Sequence, residues 1–142
     1  MDERILNILL VDDDDVDVMN VRRAFKKANI ANPIHVASNG IEALESLRLN
    51  RIPDGRRLVL LDINMPKMNG HEAMRAIRAE PRLQQLPVIA LSTSDSPKQI
   101  ALAYSVGVNS FLNKPARFED FVELMRLFGA YWLHGVRLPP RR

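Results

Sequence analysis

The chain has 142 residues, of which 46% are hydrophobic and 26% are charged. That length suits a single domain, and the apolar fraction is typical of a globular chain, not of a disordered one. The sequence has no cysteine, which excludes disulfides and thiolate metal sites, and no apolar run approaches the roughly 20 residues of a membrane helix. We therefore expect a cytoplasmic protein without membrane contact.

The formal net charge is +3, and Arg141 and Arg142 supply two of those charges. Domains that bind nucleic acid usually carry Lys and Arg clustered on one face or in one block of the sequence. Because the sequence has no block of Lys and Arg with interleaved aromatic residues, we expect no nucleic-acid partner.

Apolar and amphipathic segments alternate five times along the chain. The pattern predicts strands at residues 5–11, 34–37, 58–62, 88–92 and 110–113. It predicts helices at residues 14–29, 39 to shortly before 53, 69–81, 96–107 and 118 to about 134. Such alternation is typical of parallel βαβ units, so we predict an α/β fold with a doubly wound, five-stranded parallel sheet. Residues 1–134 are assigned to this domain and residues 135–142 to a C-terminal tail.

Several helix starts carry capping signals. Asp14, Asp15 and Asp17 are interpreted as acids that cap the first helix or complement its dipole. Asn39 and Ser96 are predicted to cap the second and fourth helices.

Charged side chains stand at the carboxyl ends of three predicted strands. Asp12 and Asp13 follow the first strand, Asp62 ends the third, and Lys114 follows the fifth. Neighbouring parallel strands lie roughly 4.8 Å apart, so Asp13 and Asp62 could share one small ion if their strands are neighbours. Clustered carboxylates raise one another's pKa unless a cation relieves them. Mg²⁺ fits better than Zn²⁺, because the histidines are far from this edge in sequence and no thiolate is available.

The same edge offers groups that would bind a phosphate. Mg²⁺ in proteins typically takes one or two carboxylates and a phosphate oxygen. Lys114 would supply a mobile positive charge, and Ser92, at the end of the fourth strand, a hydroxyl donor. The residues therefore predict a site where a metal, an ammonium and a hydroxyl meet one phosphoryl group.

Four motifs in this order resemble the receiver domains of bacterial two-component response regulators. They are Asp12-Asp13, Asp62-Ile63-Asn64-Met65-Pro66 with Gly70, Ser92-Thr93 and Lys114-Pro115. The resemblance covers nearly the whole chain and is closest to single-domain, chemotaxis-regulator-like members. It implies a flavodoxin-like (β/α)5 fold with strand order 2-1-3-4-5.

The resemblance also implies a role for each acid of the site. Asp62 would be the phosphoacceptor, taking a phosphoryl group from a histidine kinase's phosphohistidine to form an acyl phosphate. Asp13, Asp62 and the backbone carbonyl of Asn64 would bind Mg²⁺ directly, and Asp12 would bind it through water. The protein would then be a phosphoacceptor that assists only its own phosphorylation and dephosphorylation, and not an enzyme.

Three further residues would respond to the phosphoryl group in such a domain. Lys114 would pair with its oxygens, and the Lys114-Pro115 bond is often cis in the family. Ser92 would move toward the phosphoryl group, and Phe111 would rotate inward to fill the space, forming a two-state switch.

The ending Tyr131-Trp132-Leu133 looks like that of stand-alone regulators that serve phytochromes. This implies a sensor histidine kinase partner, of the bacteriophytochrome type. Because no output domain follows Trp132, the signal would leave by protein contact or by returning phosphate to a phosphotransfer protein.

Apolar residues of the fifth predicted helix form two stripes. One stripe contains Phe118, Phe121, Val122, Met125, Gly129 and Trp132. The other contains Leu124, Leu127 and Tyr131 and is centred about 120° away, since each helical residue turns about 100°. One sheet cannot bury both stripes, and an exposed apolar patch usually marks a partner surface. A homodimer through Leu124, Leu127 and Tyr131 is our main hypothesis; a tail folded over Leu124 and Tyr131 is the alternative.

Three other functions have sequence features against them. A haloacid-dehalogenase-type phosphatase needs a second acid two residues after its nucleophile, where this chain has Asn64. A flavin-binding electron carrier of similar topology would want a Gly/Ser/Thr-rich phosphate loop where this chain has residues 12–15, all aspartate. A phosphorylation-independent, dimeric interaction module would not need the motif residues that are all present here.

Overall fold

The computed structural model describes residues 6–49, 51–52, 56–63 and 70–138. Five strands form one parallel sheet, in the order β2-β1-β3-β4-β5. They are β1 (Leu6–Val11), β2 (Ile34–Ala37), β3 (Arg56–Asp62), β4 (Val88–Ser92) and β5 (Ser110–Asn113). The predicted sheet and its strand order are confirmed. β3 begins two residues before the predicted start, because pairing with β1 extends to Arg56 and Arg57.

Five helices cover the two faces of this sheet. They are α1 (Asp15–Lys27), α2 (Gly40–Arg48), α3 (Gly70–Ala79), α4 (Pro97–Ser105) and α5 (Phe118–Phe128). A 3-10 turn, Pro81–Leu83, follows α3, and a π-helix, Gly129–Gly135, continues α5. The predicted extent of the last helix is thus nearly right, but its final seven residues are π-helical. Of the described helices, none has the length and apolar character needed to cross a bilayer.

Successive side chains of the central strands point to opposite faces of the sheet, and each face packs against helices. This explains why the sequences of these strands are apolar without interruption. Leu9 and Val11 of β1 enter a core cluster with residues of α2, α3 and α4. Ile8 and Leu10 of the same strand enter a second cluster with residues of α1 and α5. A strand covered on both faces needs apolar side chains in both directions.

Helix capping agrees with the sequence at two of the predicted positions. Asp14 Oδ1 accepts hydrogen bonds from the Val16 and Asp17 backbone N–H groups, and Asn39 caps α2 through the Glu42 N–H. Ser96 precedes α4 without a side-chain capping bond, so that predicted bond is wrong.

Gly70 allows α3 to begin directly against the end of β3. A Cβ at this position would lie 2.7 Å from Ile63 Cα and 3.1 Å from the Asp62 carbonyl oxygen. The Gly70 N–H also donates to the Ile63 carbonyl at 3.0 Å. The glycine therefore fixes how closely the helix approaches the strand end that carries Asp62.

Gly70→Ala is expected to destabilise the fold by about 1–3 kcal/mol, because backbone atoms must move to admit the methyl group. Urea unfolding measures this change. Since the displaced backbone is that of Asp62 and Ile63, we also expect weaker metal binding, measured by calorimetry. Unchanged stability together with unchanged metal affinity would contradict the steric argument.

Candidate metal and phosphoryl site

Strand register brings Asp12 and Asp62 to the same level at the carboxyl edge of the sheet. Val11 of β1 pairs with Leu61 of β3, so Asp12, which follows β1, and Asp62, which ends β3, lie next to each other. Asp12 is 2% exposed and Asp62 8% exposed, whereas Asp13 is exposed. The predicted meeting of these acids at one sheet edge is therefore observed.

The three acids form a cluster of oxygen donors suited to a divalent cation. One carboxylate oxygen from each of Asp12, Asp13 and Asp62 lies within 4.8 Å of the other two. Asp12 Oδ1 accepts the Asp14 N–H at 2.9 Å, but the buried Asp12 Oδ2 has no hydrogen-bond donor. An unsatisfied buried carboxylate oxygen among two other acids fits a hard cation or its bound water. Asn64, the remaining predicted ligand, lies outside the described residues.

Burial raises the pKa of Asp12 from 3.8 to about 6. Desolvation is the largest cause, and the negative charges of Asp62 and Asp17 raise the pKa further. The Asp14 N–H bond and the Lys114 charge oppose this increase. The metal-free site thus holds an ionised Asp12 at a cost, which a cation would relieve.

Lys114 reaches the cluster from the loop after β5. Its backbone N–H donates to the Ser92 carbonyl at 2.8 Å, and its Nζ lies 3.6 Å from Asp12 Oδ2 and 3.1 Å from Asp17 Oδ2. Burial alone would lower the pKa of Lys114, but Asp62, Asp12 and Asp17 outweigh burial and raise it. The ammonium is therefore firmly protonated, as a partner of phosphoryl oxygens must be. No described peptide bond is cis, so Lys114-Pro115 is trans, unlike the common family form.

Asp17 belongs to this site, and interpreting it as a helix-capping acid missed that. The side chain of Asp14 already caps α1, while the Asp17 carboxylate turns to Lys114, 97 residues away in sequence. Its place in the first turn of α1, a few residues after the motif acids Asp12 and Asp13, is a sequence signal that could have suggested a position at the same sheet edge.

Ser92 and Phe111 lie on neighbouring strands, β4 and β5. Ser92 is 1% exposed, and its Oγ accepts the Ser94 N–H at 3.0 Å. Phe111 is partly buried against the core cluster that includes residues of α3 and α4, and its N–H donates to the Tyr104 hydroxyl at 3.2 Å. The two residues predicted to act as a switch are thus one strand apart.

A family model described as "Response regulator receiver domain" matches residues 8–126. The chain is 40% identical over 135 residues to the probable methanogenesis regulatory protein FilR2 of Methanothrix harundinacea, covering 93% of this chain and 86% of that protein.

Two solved structures match nearly the whole chain. The phosphorylated cyanobacterial phytochrome response regulator RcpA has 29% identity and a TM-score of 0.85, covering 94% of this chain and 97% of RcpA. The Mn²⁺-bound form of response regulator Rcp1 has 30% identity and a TM-score of 0.80, covering 94% of this chain and 98% of that one. A protein of that name from Synechocystis is 30% identical over 135 residues. With its fold, site and family match, the chain belongs to the response regulator receiver domain family and has phytochrome response regulators among its relatives.

Proposed function

We propose that Asp62 accepts a phosphoryl group from the phosphohistidine of a sensor histidine kinase. A carboxylate oxygen of Asp62 attacks phosphorus, the phosphorus–nitrogen bond breaks, and the electron pair leaves with the imidazole, which takes up a proton. The observation that carries this proposal is the meeting of Asp12, Asp13, Asp62 and Lys114 at one sheet edge. The phosphoryl group brings further negative charge to the acids of this site. Its transfer therefore needs cations at the carboxyl edge of the sheet.

The residues that would hold Mg²⁺ are Asp13, Asp62 and the Asn64 carbonyl, with Asp12 acting through water. When bound, Mg²⁺ would neutralise charge on the phosphoryl oxygens and on the acids. Manganese in the Rcp1 structure supports a divalent site, because Mn²⁺ and Mg²⁺ both favour octahedral oxygen ligands. Lys114 would pair with the phosphoryl oxygens from the other side.

The proposed kinase is of the phytochrome type and acts in the cytoplasm, where its ATP is found. The support is the RcpA match, whose name connects that relative with phytochrome signalling and with phosphorylation, and the sequence around Tyr131-Trp132. FilR2 has a higher identity to this chain than RcpA has, but its name refers to regulation of methanogenesis and not to phytochromes. Phosphotransfer from a phytochrome kinase, compared with transfer from an unrelated kinase, tests this assignment directly.

We place the signalling unit at residues 1–134, with residues 135–142 as a tail. Phosphorylation would draw the Ser92 hydroxyl toward the phosphoryl oxygens and let Phe111 turn inward. The altered face of α4, β5 and α5 would then contact a target, or the phosphoryl group would pass to a phosphotransfer protein.

Metal removal is the test of the proposed chemistry. Incubation with acetyl phosphate or the cognate kinase and Mg²⁺ is expected to add one hydroxylamine-sensitive phosphoryl group, seen by mass spectrometry. Excess chelator is expected to reduce the initial rate by at least about 100-fold, because the acids then repel the donor. Full-rate labelling in chelator would overturn the metal assignment, and no labelling by a competent cognate kinase would overturn the function.

We further propose a homodimer through the patch formed by Leu124, Leu127 and Tyr131. Leu127 is 70% exposed and Tyr131 57% exposed, while Leu124 packs partly on the core. Leu138 of the tail also packs on the core, yet the tail residues that the structure describes leave Tyr131 largely uncovered. A two-fold axis through α5 would bury this patch against its own copy.

Leu127→Glu is expected to weaken such a dimer at least about tenfold, since two carboxylates would meet near the axis. Leu49→Glu is the matched control, because Leu49 is 59% exposed on another part of the surface. Light scattering over a concentration series measures both variants. A monomeric wild type, or equal weakening by both substitutions, would overturn the proposed interface.

A further inference from the structure

Lys114 pairs with two acids, Asp12 just after β1 and Asp17 in α1, and Asp17 makes the shorter contact. Asp17 Oδ2 lies 3.1 Å from Lys114 Nζ, within hydrogen-bond range, whereas Asp12 Oδ2 lies at 3.6 Å. The Lys114 side chain is only 11% exposed and that of Asp17 is 39% exposed. A poorly hydrated ammonium depends on its protein partners, and the Asp17 side chain accepts a hydrogen bond from Lys114 Nζ.

The helix start does not need the Asp17 carboxylate. Asp14 Oδ1 accepts the N–H groups of Val16 at 2.8 Å and Asp17 at 3.4 Å. Because Asp14 satisfies these N–H groups, the Asp17 side chain is left to pair with Lys114 across the space between α1 and the β5–α5 loop. Its position is explained by the site and not by helix capping.

We propose that Asp17 is a positioning residue that holds Lys114 in a resting position, and that phosphorylation of Asp62 draws Lys114 away from it. The inference rests on the proposed phosphorylation. The phosphoryl oxygens on Asp62 and the carboxylate of Asp17 compete for one ammonium group. Asp17 therefore stabilises the unphosphorylated state and sets part of the free-energy difference between the two states.

The ion pair between Asp17 and Lys114 lies in a groove, so breaking the pair would change the shape of that groove. Asp17 and Lys114 line one groove of about 540 Å³, together with Asn20 of α1, Pro115 of the loop and Phe118 of α5. The pair connects α1 to the β5–α5 loop across this groove. When Lys114 moves toward Asp62, that connection is lost and the groove changes shape.

Asp17→Asn tests the proposal, with beryllofluoride as a stable phosphoryl mimic in the presence of Mg²⁺. Asn keeps the size of Asp but loses the charge that competes for Lys114. Calorimetry is expected to show binding about three- to fivefold tighter than wild type, the upper part of the range for exposed ion pairs, because the Lys114 side chain is only 11% exposed. Asp15→Asn is the control, because it removes an exposed acid from the same helical turn, and it should bind within about twofold of wild type. Asp17→Glu should retain the wild-type affinity.

A second readout reports the position of Lys114 without the mimic. In NMR spectra of the free Asp17→Asn variant, the backbone amide resonances of residues 114–118 should shift from their positions in the free wild type toward their positions in the beryllofluoride complex of the wild type. Pro115 has no amide proton and is not observed. A merely structural role of Asp17 would not produce this direction of shift. Equal affinities of Asp17→Asn and Asp15→Asn, or weaker binding by Asp17→Asn, would overturn the inference while leaving the proposed function intact. A wild type that binds no mimic would overturn both.

Discussion

Asp62→Asn is expected to abolish acyl-phosphate formation while leaving the chain folded. The carboxamide has nearly the shape of the carboxylate, but it is a very poor nucleophile toward phosphorus. Asp62 is 8% exposed at the end of β3, within 4.8 Å of the ligand oxygens of Asp12 and Asp13. Removing its charge relieves repulsion among these acids, so stability is not expected to fall. Labelling with acetyl phosphate or the cognate kinase, followed by mass spectrometry, measures the effect.

Two further variants make this experiment specific. Asp120→Asn removes an exposed acid from the first turn of α5 and should be labelled like wild type. Asp13→Asn should be labelled slowly, because it keeps the nucleophile but weakens the metal site. Persistent labelling of Asp62→Asn would place the phosphoacceptor on another residue.

Asp12→Asn is expected to stabilise the metal-free protein while weakening its metal binding. The pKa of Asp12 is raised from 3.8 to about 6, which corresponds to a folding penalty of up to about 3 kcal/mol once Asp12 is ionised. Asn removes that penalty, which already includes the attraction of Lys114, and keeps an oxygen for the Asp14 N–H, but its amide oxygen accepts this bond more weakly than a carboxylate does and its NH2 group must be buried. The net gain expected at pH 7 is therefore about 1–2 kcal/mol in urea unfolding with chelator present.

This gain has a defined pH dependence. Because the folded-state pKa of Asp12 lies above the unfolded value, the folded protein binds the proton more tightly between pH 3.8 and about 6. The wild-type penalty is absent below this window, grows as the pH rises through it, and is complete above it. The advantage of Asp12→Asn should follow the same course and reverse in saturating Mg²⁺. A pH-independent difference between the two proteins would show that desolvation of Asp12 is not its cause.

The strands and most helix boundaries could be predicted because they are determined by local composition. The continuous apolar run of β3 indicates a strand buried on both faces, and the side chains of Asp14 and Asn39 cap helices as their local sequence suggests. Ser96 shows the limit of this reasoning. A capping residue was present, but its backbone, with φ −59° and ψ 125°, places the hydroxyl without a capping bond.

The change from α-helix to π-helix after residue 128 could not be predicted from the sequence either. Apolar residues continue at helical spacing to Trp132, so periodicity predicted one helix to about residue 134. The structure changes to a π-helix at Gly129, where a Cβ would lie 3.0 Å from Ile30 Cδ1. This close approach depends on how the chain after α5 lies beside the segment that follows α1, which no local sequence pattern indicates.

The sequence by itself determined the order of strands and helices, the motif acids Asp12, Asp13 and Asp62, and the presence of Lys114 near them. Those features follow from local periodicity and from the rule that parallel strands end at one edge. Only the tertiary structure decided that Asp17 pairs with Lys114 and that burial raises the pKa of Asp12. The reason is physical: hydrogen-bond partners 97 residues apart and the loss of water around a carboxylate are set by the packing of α1, β1 and the β5–α5 loop together.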